Sequence, residues 1–240
     1  MDPVQSQFAA LLEKQNVLLT DSQLLQFENY YKELVSWNEK MNLTAITERD
    51  QVYIKHFFDS LSVSFFVPMN NISSMADIGS GAGFPSIPLK IVFPHLSLTI
   101  VDSLNKRIQF LNHLCGVLGL NGVQAVHGRA EDAARLDAHR DRYDIVTARA
   151  VARLAVLNEF CLPFVKPGGL FVAMKGSELH DELNEAKVSL RELKGELKAT
   201  YPFELPVDQS ARHIIVIQKT GTTPKKYPRK AGTPLKSPLV

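Results

Sequence analysis

The chain has 240 residues but only two cysteines, no glycine before Gly79, and no acidic residue from Lys219 onward. Two thiols cannot build a disulfide framework, and neither Cys115 nor Cys161 falls in a CxxC or Cys/His cluster, so no metal site is expected. Buried, reduced thiols are the simplest reading of both. No apolar run approaches the roughly 18 residues a spanning helix needs. The start, Met1-Asp2-Pro3, has neither a basic n-region nor an apolar h-region, so no secretory signal and a cytoplasmic location are expected. With 13 Gly and 13 Pro, collagenous and wholly disordered classes are excluded.

What is present is a mildly acidic body with a cationic end. The formal charge is +2, yet six of the 27 basic residues lie from Lys219 onward, leaving 21 against 25 acidic ones before it. Such an end is either a solvated appendage or a means of reaching phosphate. Its prolines disfavour helix and predict an extended segment suited to following a nucleic-acid backbone. Lys225, Lys226, Arg229 and Lys230 are its candidate contacts.

Three parts are expected: helices over 1–70, an α/β unit over 71–218, and the basic, proline-rich segment 219–240. Thr20 and Gln23 have capping-box spacing, and Leu24, Phe27, Tyr31 and Leu34 follow at helical intervals. A second helical pattern covers Gln51 to Val67. Beyond Asn71 short apolar runs alternate with helical stretches: Met75–Ile78, Leu96–Val101, Val123–His127, Tyr143–Ala148 and Leu170–Met174 read as strands. Helices are predicted from Lys106 to Leu118, from Val151 to about Phe164 and from Glu178 to Lys198. Phe203–Val207 and His213–Ile217 read as a closing antiparallel pair. The alternation predicts a seven-stranded, mostly parallel sheet covered by helices.

Asp77-Ile78-Gly79-Ser80-Gly81-Ala82-Gly83 closes the first strand, where open α/β sheets bind ligands. Alternate glycines permit close backbone approach and positive φ, although tight strand–helix turns use glycine for packing alone. A dinucleotide fingerprint needs a third glycine where Phe84 stands. The D-x-G-x-G-x-G pattern instead resembles motif I of class I S-adenosylmethionine-dependent methyltransferases, a Rossmann-like fold. Asp102, 23 residues after Gly79, suits either two ribose hydroxyls or a strand-end turn. Ala130-Glu131 falls where such enzymes hold an adenine edge, though Glu131 equally suits a helix N-terminus.

At the fourth strand's end stand Arg149 and Arg153, read as one face of a helix start and suited to an anion or to salt bridges with Asp144 or Glu159. There is no Asn/Asp-Pro-Pro amine clamp, and both cysteines fall in predicted helices, away from a nucleophile's place. No general base is identifiable. Guanine N7 needs none, because its lone pair is free at neutral pH; proximity and in-line geometry would suffice. Lys175 is a candidate phosphate contact. His56 and Asp59 read as a polar pair ordering the helices against the cleft, and Trp37 as core.

Six strings carry a more specific resemblance. They are Trp37-Asn38-Glu39-Lys40-Met41-Asn42-Leu43-Thr44, Lys55-His56-Phe57-Phe58-Asp59-Ser60, Asp77 through Pro85, Val101 through Arg107, Thr147 through Ala152, and Tyr227 through Pro234. Together they resemble the RsmG family (glucose-inhibited division protein B), bacterial small-subunit ribosomal RNA methyltransferases, from about Trp37 to Pro238. The resemblance implies methyl transfer from S-adenosyl-L-methionine to N7 of one guanine in 16S rRNA, with the small subunit or its assembly intermediate as partner and no membrane. It implies cofactor contacts at Gly79, Phe84, Ala130, Glu131 and Arg149, with Asp102 and Ser103 at the ribose; Gly81 belongs to the same loop. Arg153, Lys175 and the four tail cations are the RNA candidates. A monomer is the simplest expectation. The alternatives are a non-catalytic RNA-binding or assembly factor on the same fold, and a dinucleotide-dependent oxidoreductase, which Phe84 disfavours.

Overall fold

A computed structural model describes residues 2–176 and 180–240. The first helices form where their caps predict. In α1 (Pro3–Glu13) the Asp2 carboxylate accepts from Val4 and Gln5 N–H, and in α2 (Asp21–Met41) Thr20 and Gln23 make the reciprocal capping box. A third helical stretch runs through α3 (Arg49–Val52), a π-helical turn (Tyr53–Phe58), α4 (Asp59–Leu61) and α5 (Val63–Phe66). Phe8, Phe27, Tyr30, Tyr53 and Phe57 interlock beneath them; Phe8 meets Phe27 edge-on at 5.1 Å and Tyr53 at 5.2 Å.

Seven strands form one sheet in the order β3-β2-β1-β4-β5-β7-β6. They are β1 (Ser74–Ile78), β2 (Ser97–Asp102), β3 (Val123–His127), β4 (Tyr143–Arg149), β5 (Val165–Lys175), β6 (Gly195–Glu204) and β7 (Ala211–Lys219). The first five are parallel, and β7 is antiparallel to both β5 and β6. Helices α6 (Ser86–Val92), α7 (Asn105–Val117), α8 (Ala130–Ala133), α9 (Leu154–Cys161), α10 (His180–Glu185) and α11 (Lys187–Glu192) connect them, and α12 (Thr233–Lys236) closes the chain. The N-terminal helices share one continuous core with α6, α7 and one face of the sheet. A second core on the other face gathers α9, β5, β7 and the buried Tyr227. Among the described residues no helix is long and apolar enough to cross a membrane.

Several boundaries differ from expectation, among them the first strand of the closing pair, expected over Phe203–Val207 and observed as Gly195–Glu204. The helix predicted over Glu178–Lys198 has its start outside the described residues; the described part breaks between α10 and α11 and ends at Glu192, because β6 begins at Gly195. There an added Cβ would stand 2.9 Å from Leu162, so the strand lies flush on the core. The Pro167-Gly168-Gly169 turn lies within β5, Gly168 taking φ +84° in an irregular stretch that pairs with β4 on either side. The segment after Lys219, expected to be extended, is folded against α8, α9 and α11.

Candidate functional site

The parallel register fixes which residues meet. Ile78 pairs with Val101, Asp102 with His127, and Asp77 with Thr147, so four strand ends lie in one row. The turns that follow them therefore share the carboxyl edge of the sheet. Asp77 ties the first turn down: its carboxylate accepts from Thr147 Oγ1 at 3.0 Å and from Ser86 N–H at 3.3 Å. Complete burial lifts its pKa to about 7.

Gly79, at φ +72°, donates its N–H to Val101 O at 2.8 Å, and a Cβ there would lie 3.0 Å from Val151. Gly81 N–H donates to Asp102 Oδ2 at 3.1 Å. Asp102, 2% exposed, also accepts from Leu104 N–H on Oδ1 at 2.9 Å and from Arg107 on Oδ2 at 3.3 Å. A carboxylate has about four acceptor sites, so one lone pair on Oδ1 is left, and the Arg107 contact is the long, solvent-facing one. Beside these residues lies a cavity of about 250 Å³ whose walls include Gly79, Ser103, Ala130, Glu131, Val151 and Leu235. Glu131 is buried and spends one oxygen on Gly232 N–H, at 2.7 Å.

Val151 lines this first cavity, and the residue before it, Ala150, at φ +56°, lines a second, of about 340 Å³. Lys55, His56, Asp59, Arg149, Lys175 and Arg212 are among its walls. Arg149 is the hub. It ends β4, pairs with Asp59 at 2.9 Å, and donates to Lys55 O at 3.2 Å and to His56 Nδ1 at 3.3 Å. Its guanidinium also lies over the Phe84 ring at 4.8 Å, and His56 stacks on that ring at 4.6 Å. Since arginine can only donate, His56 Nδ1 accepts, which leaves Nε2–H to donate to Thr44 Oγ1 at 2.8 Å. Burial, and then the Arg149 charge, lower the His56 pKa to about 3, so the ring is neutral. Thr44 is held by Asn38, whose side chain accepts the Thr44 N–H at 2.8 Å.

The sequence candidates thus divide. Gly79, Ser103, Ala130 and Glu131 surround the first cavity; Gly81 and Asp102 bond to each other behind it; Arg149 and Lys175 line the second. Phe84 is buried between Tyr30 and His56 and serves as backing to Arg149. Arg149 and Arg153 do not share a helical face, because one ends β4 and the other precedes α9. Nor do they pair with Asp144 or Glu159: Arg149 takes Asp59 and Arg153 takes Glu185 at 2.7 Å. Asp144 is engaged by Lys166 and Ser74, and Glu159 by Arg229. Lys175 is held by Glu182 and Ala152 O, both at 2.8 Å.

In the tail Lys226 pairs with Glu192 at 2.8 Å, while Lys225 and Lys230 are exposed and make no ion pair among the described residues. Trp37 packs against Phe110 and His113 as expected. Both cysteines lie in helices, and burial pushes their thiols up, Cys115 to about 11. Among the described residues no three His, Cys, Asp or Glu side chains could hold a metal.

Sequence reasoning missed Arg212, Val151 and Leu235. Arg212 reaches the second cavity because β7 runs antiparallel, which brings its first residues to the carboxyl end of β5. Nothing local in the sequence marks that.

The family model described as "GidB: rRNA small subunit methyltransferase G" matches residues 23–214. A protein of Staphylococcus carnosus called ribosomal RNA small subunit methyltransferase G is 57% identical over 230 residues, 95% of this chain and 96% of its own. One of the same description from Brevibacillus brevis is 54% identical over 234 residues, 98% of each chain. Among solved structures, TYW2 of M. jannaschii in complex with AdoMet superposes with a TM-score of 0.55 at 13% identity, covering 68% of this chain and 76% of that one. The mitomycin 7-O-methyltransferase MmcR gives a TM-score of 0.57 at 12% identity, covering 79% and 60%. At such identities these two speak for the fold alone.

Proposed function

This chain belongs to the ribosomal RNA small subunit methyltransferase G family, and on that footing we propose that it transfers a methyl group from S-adenosylmethionine to N7 of a guanine in 16S rRNA. The observation that carries the reading is a pair of cavities, a glycine-and-carboxylate one and a cationic one, lined by the consecutive residues Val151 and Ala150 respectively. The first fits the cofactor. Its floor at Gly79 is flush with Val151, leaving no room for a Cβ, and Asp102 keeps an acceptor for a ribose hydroxyl, with a second where the long Arg107 contact lies. Gly79, Ser103, Ala130 and Glu131 would hold the adenosine portion, and the bound cofactor supplies an electrophilic methyl on a sulfonium.

In the second cavity His56 is neutral with both nitrogens engaged, and Asp59 is held in ion pairs with Arg149 and, at 3.4 Å, with Arg212, its Oδ1 accepting no hydrogen bond. That suits a target whose lone pair is already available, as guanine N7 is, and leaves orientation and water exclusion as this chain's tasks. Three of the four cations there have a carboxylate of their own, Arg149 with Asp59, Lys175 with Glu182 and Lys55 with Asp208, while Arg212 shares Asp59 at 3.4 Å. The pairing softens repulsion of the positive charge that arrives on the purine. The base must leave its stack to enter. The partner is the small ribosomal subunit or its assembly intermediate, in the cytoplasm.

The test is methyl transfer from labelled S-adenosylmethionine to 16S rRNA and 30S particles from a strain lacking the activity. Nuclease digestion and mass spectrometry are expected to yield 7-methylguanosine, and any other methylated nucleoside overturns the N7 assignment. Asp102→Ala is expected to abolish transfer while leaving rRNA affinity unchanged; persistent transfer would remove Asp102 from the cofactor site.

A further inference from the structure

After β7 the chain leaves the sheet at the end opposite the site and returns to it along α8 and α9. The return is anchored at each step. Lys219, wholly buried, donates to Asp141 Oδ1 at 3.1 Å, to Leu162 O at 2.6 Å and to Thr223 Oγ1 at 2.6 Å. Arg140 donates to the carbonyls of Thr223, Pro224 and Tyr227 at 2.9 to 3.1 Å. Arg229 forks onto both oxygens of Glu159, at 2.6 and 3.0 Å, and Glu159 is 1% exposed. Gly232, at φ +83°, then delivers its N–H to Glu131, and the turn that follows sets Leu235 at the mouth of the first cavity.

Leu235 is 58% exposed there, beside Ser103, Gly128 and Ala130. An apolar side chain held in place by so many polar anchors, yet left open toward a cavity, is suited to cover a flat apolar ligand face. We propose that the C-terminal segment is the adenine-side wall of the cofactor site, with Leu235 contacting the adenine ring and Gly232 acting as a positioning residue through Glu131. The inference rests on the cofactor reading above. It gives this basic segment a task unrelated to phosphate: the anchors engage Lys219 and Arg229 with buried partners, and Lys226 pairs with Glu192 at the surface.

The test is calorimetric titration of the full-length protein with S-adenosylhomocysteine. Leu235→Ser is expected to weaken binding about tenfold, equivalent to ~1.4 kcal/mol, with Leu235→Met close to wild type and 16S rRNA affinity unchanged in both. Gly232→Ala, strained at positive φ with open space around it, is expected to weaken binding several-fold, and Gly232→Asn, which tolerates that φ, to restore it. Unfolding temperatures without ligand should match across the Leu235 variants. Wild-type affinity in Leu235→Ser and Gly232→Ala overturns the wall while leaving the cofactor reading intact. A wild-type protein that binds no S-adenosylhomocysteine overturns both.

Discussion

Arg149 shows how little a single residue type says about its role. As an arginine at a strand end it suits an anion, and the structure gives it Asp59, Lys55 O, His56 and the Phe84 ring instead. His56 pays part of the cost of that arrangement in pH dependence. Its pKa falls from 6.5 to about 3 on folding, so between those values the unfolded state binds more protons and stability drops as pH is lowered. Asp77 works oppositely. Its pKa rises from 3.8 to about 7, so its stabilising contribution is full below 3.8 and is lost as pH rises through 7. The two windows overlap and offset each other. His56→Gln should remove the first and expose the second, so that urea unfolding shows the variant gaining stability relative to wild type from pH 6.5 down to 4.5. A constant difference between the two proteins over that range would rule this out.

Among elements, the β1–α6 turn carries the most constraint. Gly83 takes φ +99°, and a Cβ there would stand 2.8 Å from both Ile87 and the Tyr30 hydroxyl, which donates to Ala82 O at 2.6 Å. Gly83→Ala is therefore expected to lose about 1–3 kcal/mol to backbone strain and a further ~1 kcal/mol with the Tyr30 bond. Gly81→Ala meets nothing within 4 Å and should lose the strain alone. Equal losses in denaturant titration would show that contact with α2 is not what fixes this turn. The strands up to β5, and the Thr20 cap, were legible because their periodicities and caps are local. The break at Glu192 was not: tertiary packing of Gly195 against Leu162 and Leu190 overrides the helical propensity of that charged stretch.

At the scale of the molecule the near-neutral charge conceals a basic segment of six cations, three of them held in ion pairs by the rest of the protein. Tail cations that salt bridges already hold have little left for a phosphate backbone, which leaves the exposed Lys225, Lys230 and Lys236 as its available contacts. The Lys225→Ala/Lys230→Ala double variant should lower the slope of log affinity for single-stranded 16S rRNA against log salt by about 1.4, near 0.7 per phosphate. Lys226→Ala should leave that slope nearly unchanged, and filter binding at several salt concentrations separates them. A slope unaffected in the double variant would place the RNA contacts elsewhere, at the rim of the second cavity.

The glycine turn, the carboxylate that ends β2, the Glu131 turn and the parallel alternation were determined by the sequence itself, because each follows from residues close together in the chain. Which of them face one another depended on strand register, and so did the neighbours that no local pattern marks. Arg212 enters the site only because β7 reverses direction, and Leu235 only because the chain folds back along α8 and α9. Those two placements bring together residues 63 and more than 100 positions apart, Arg212 with Arg149 and Leu235 with Glu131, and contacts at such separations are set by packing of the whole sheet and its helices.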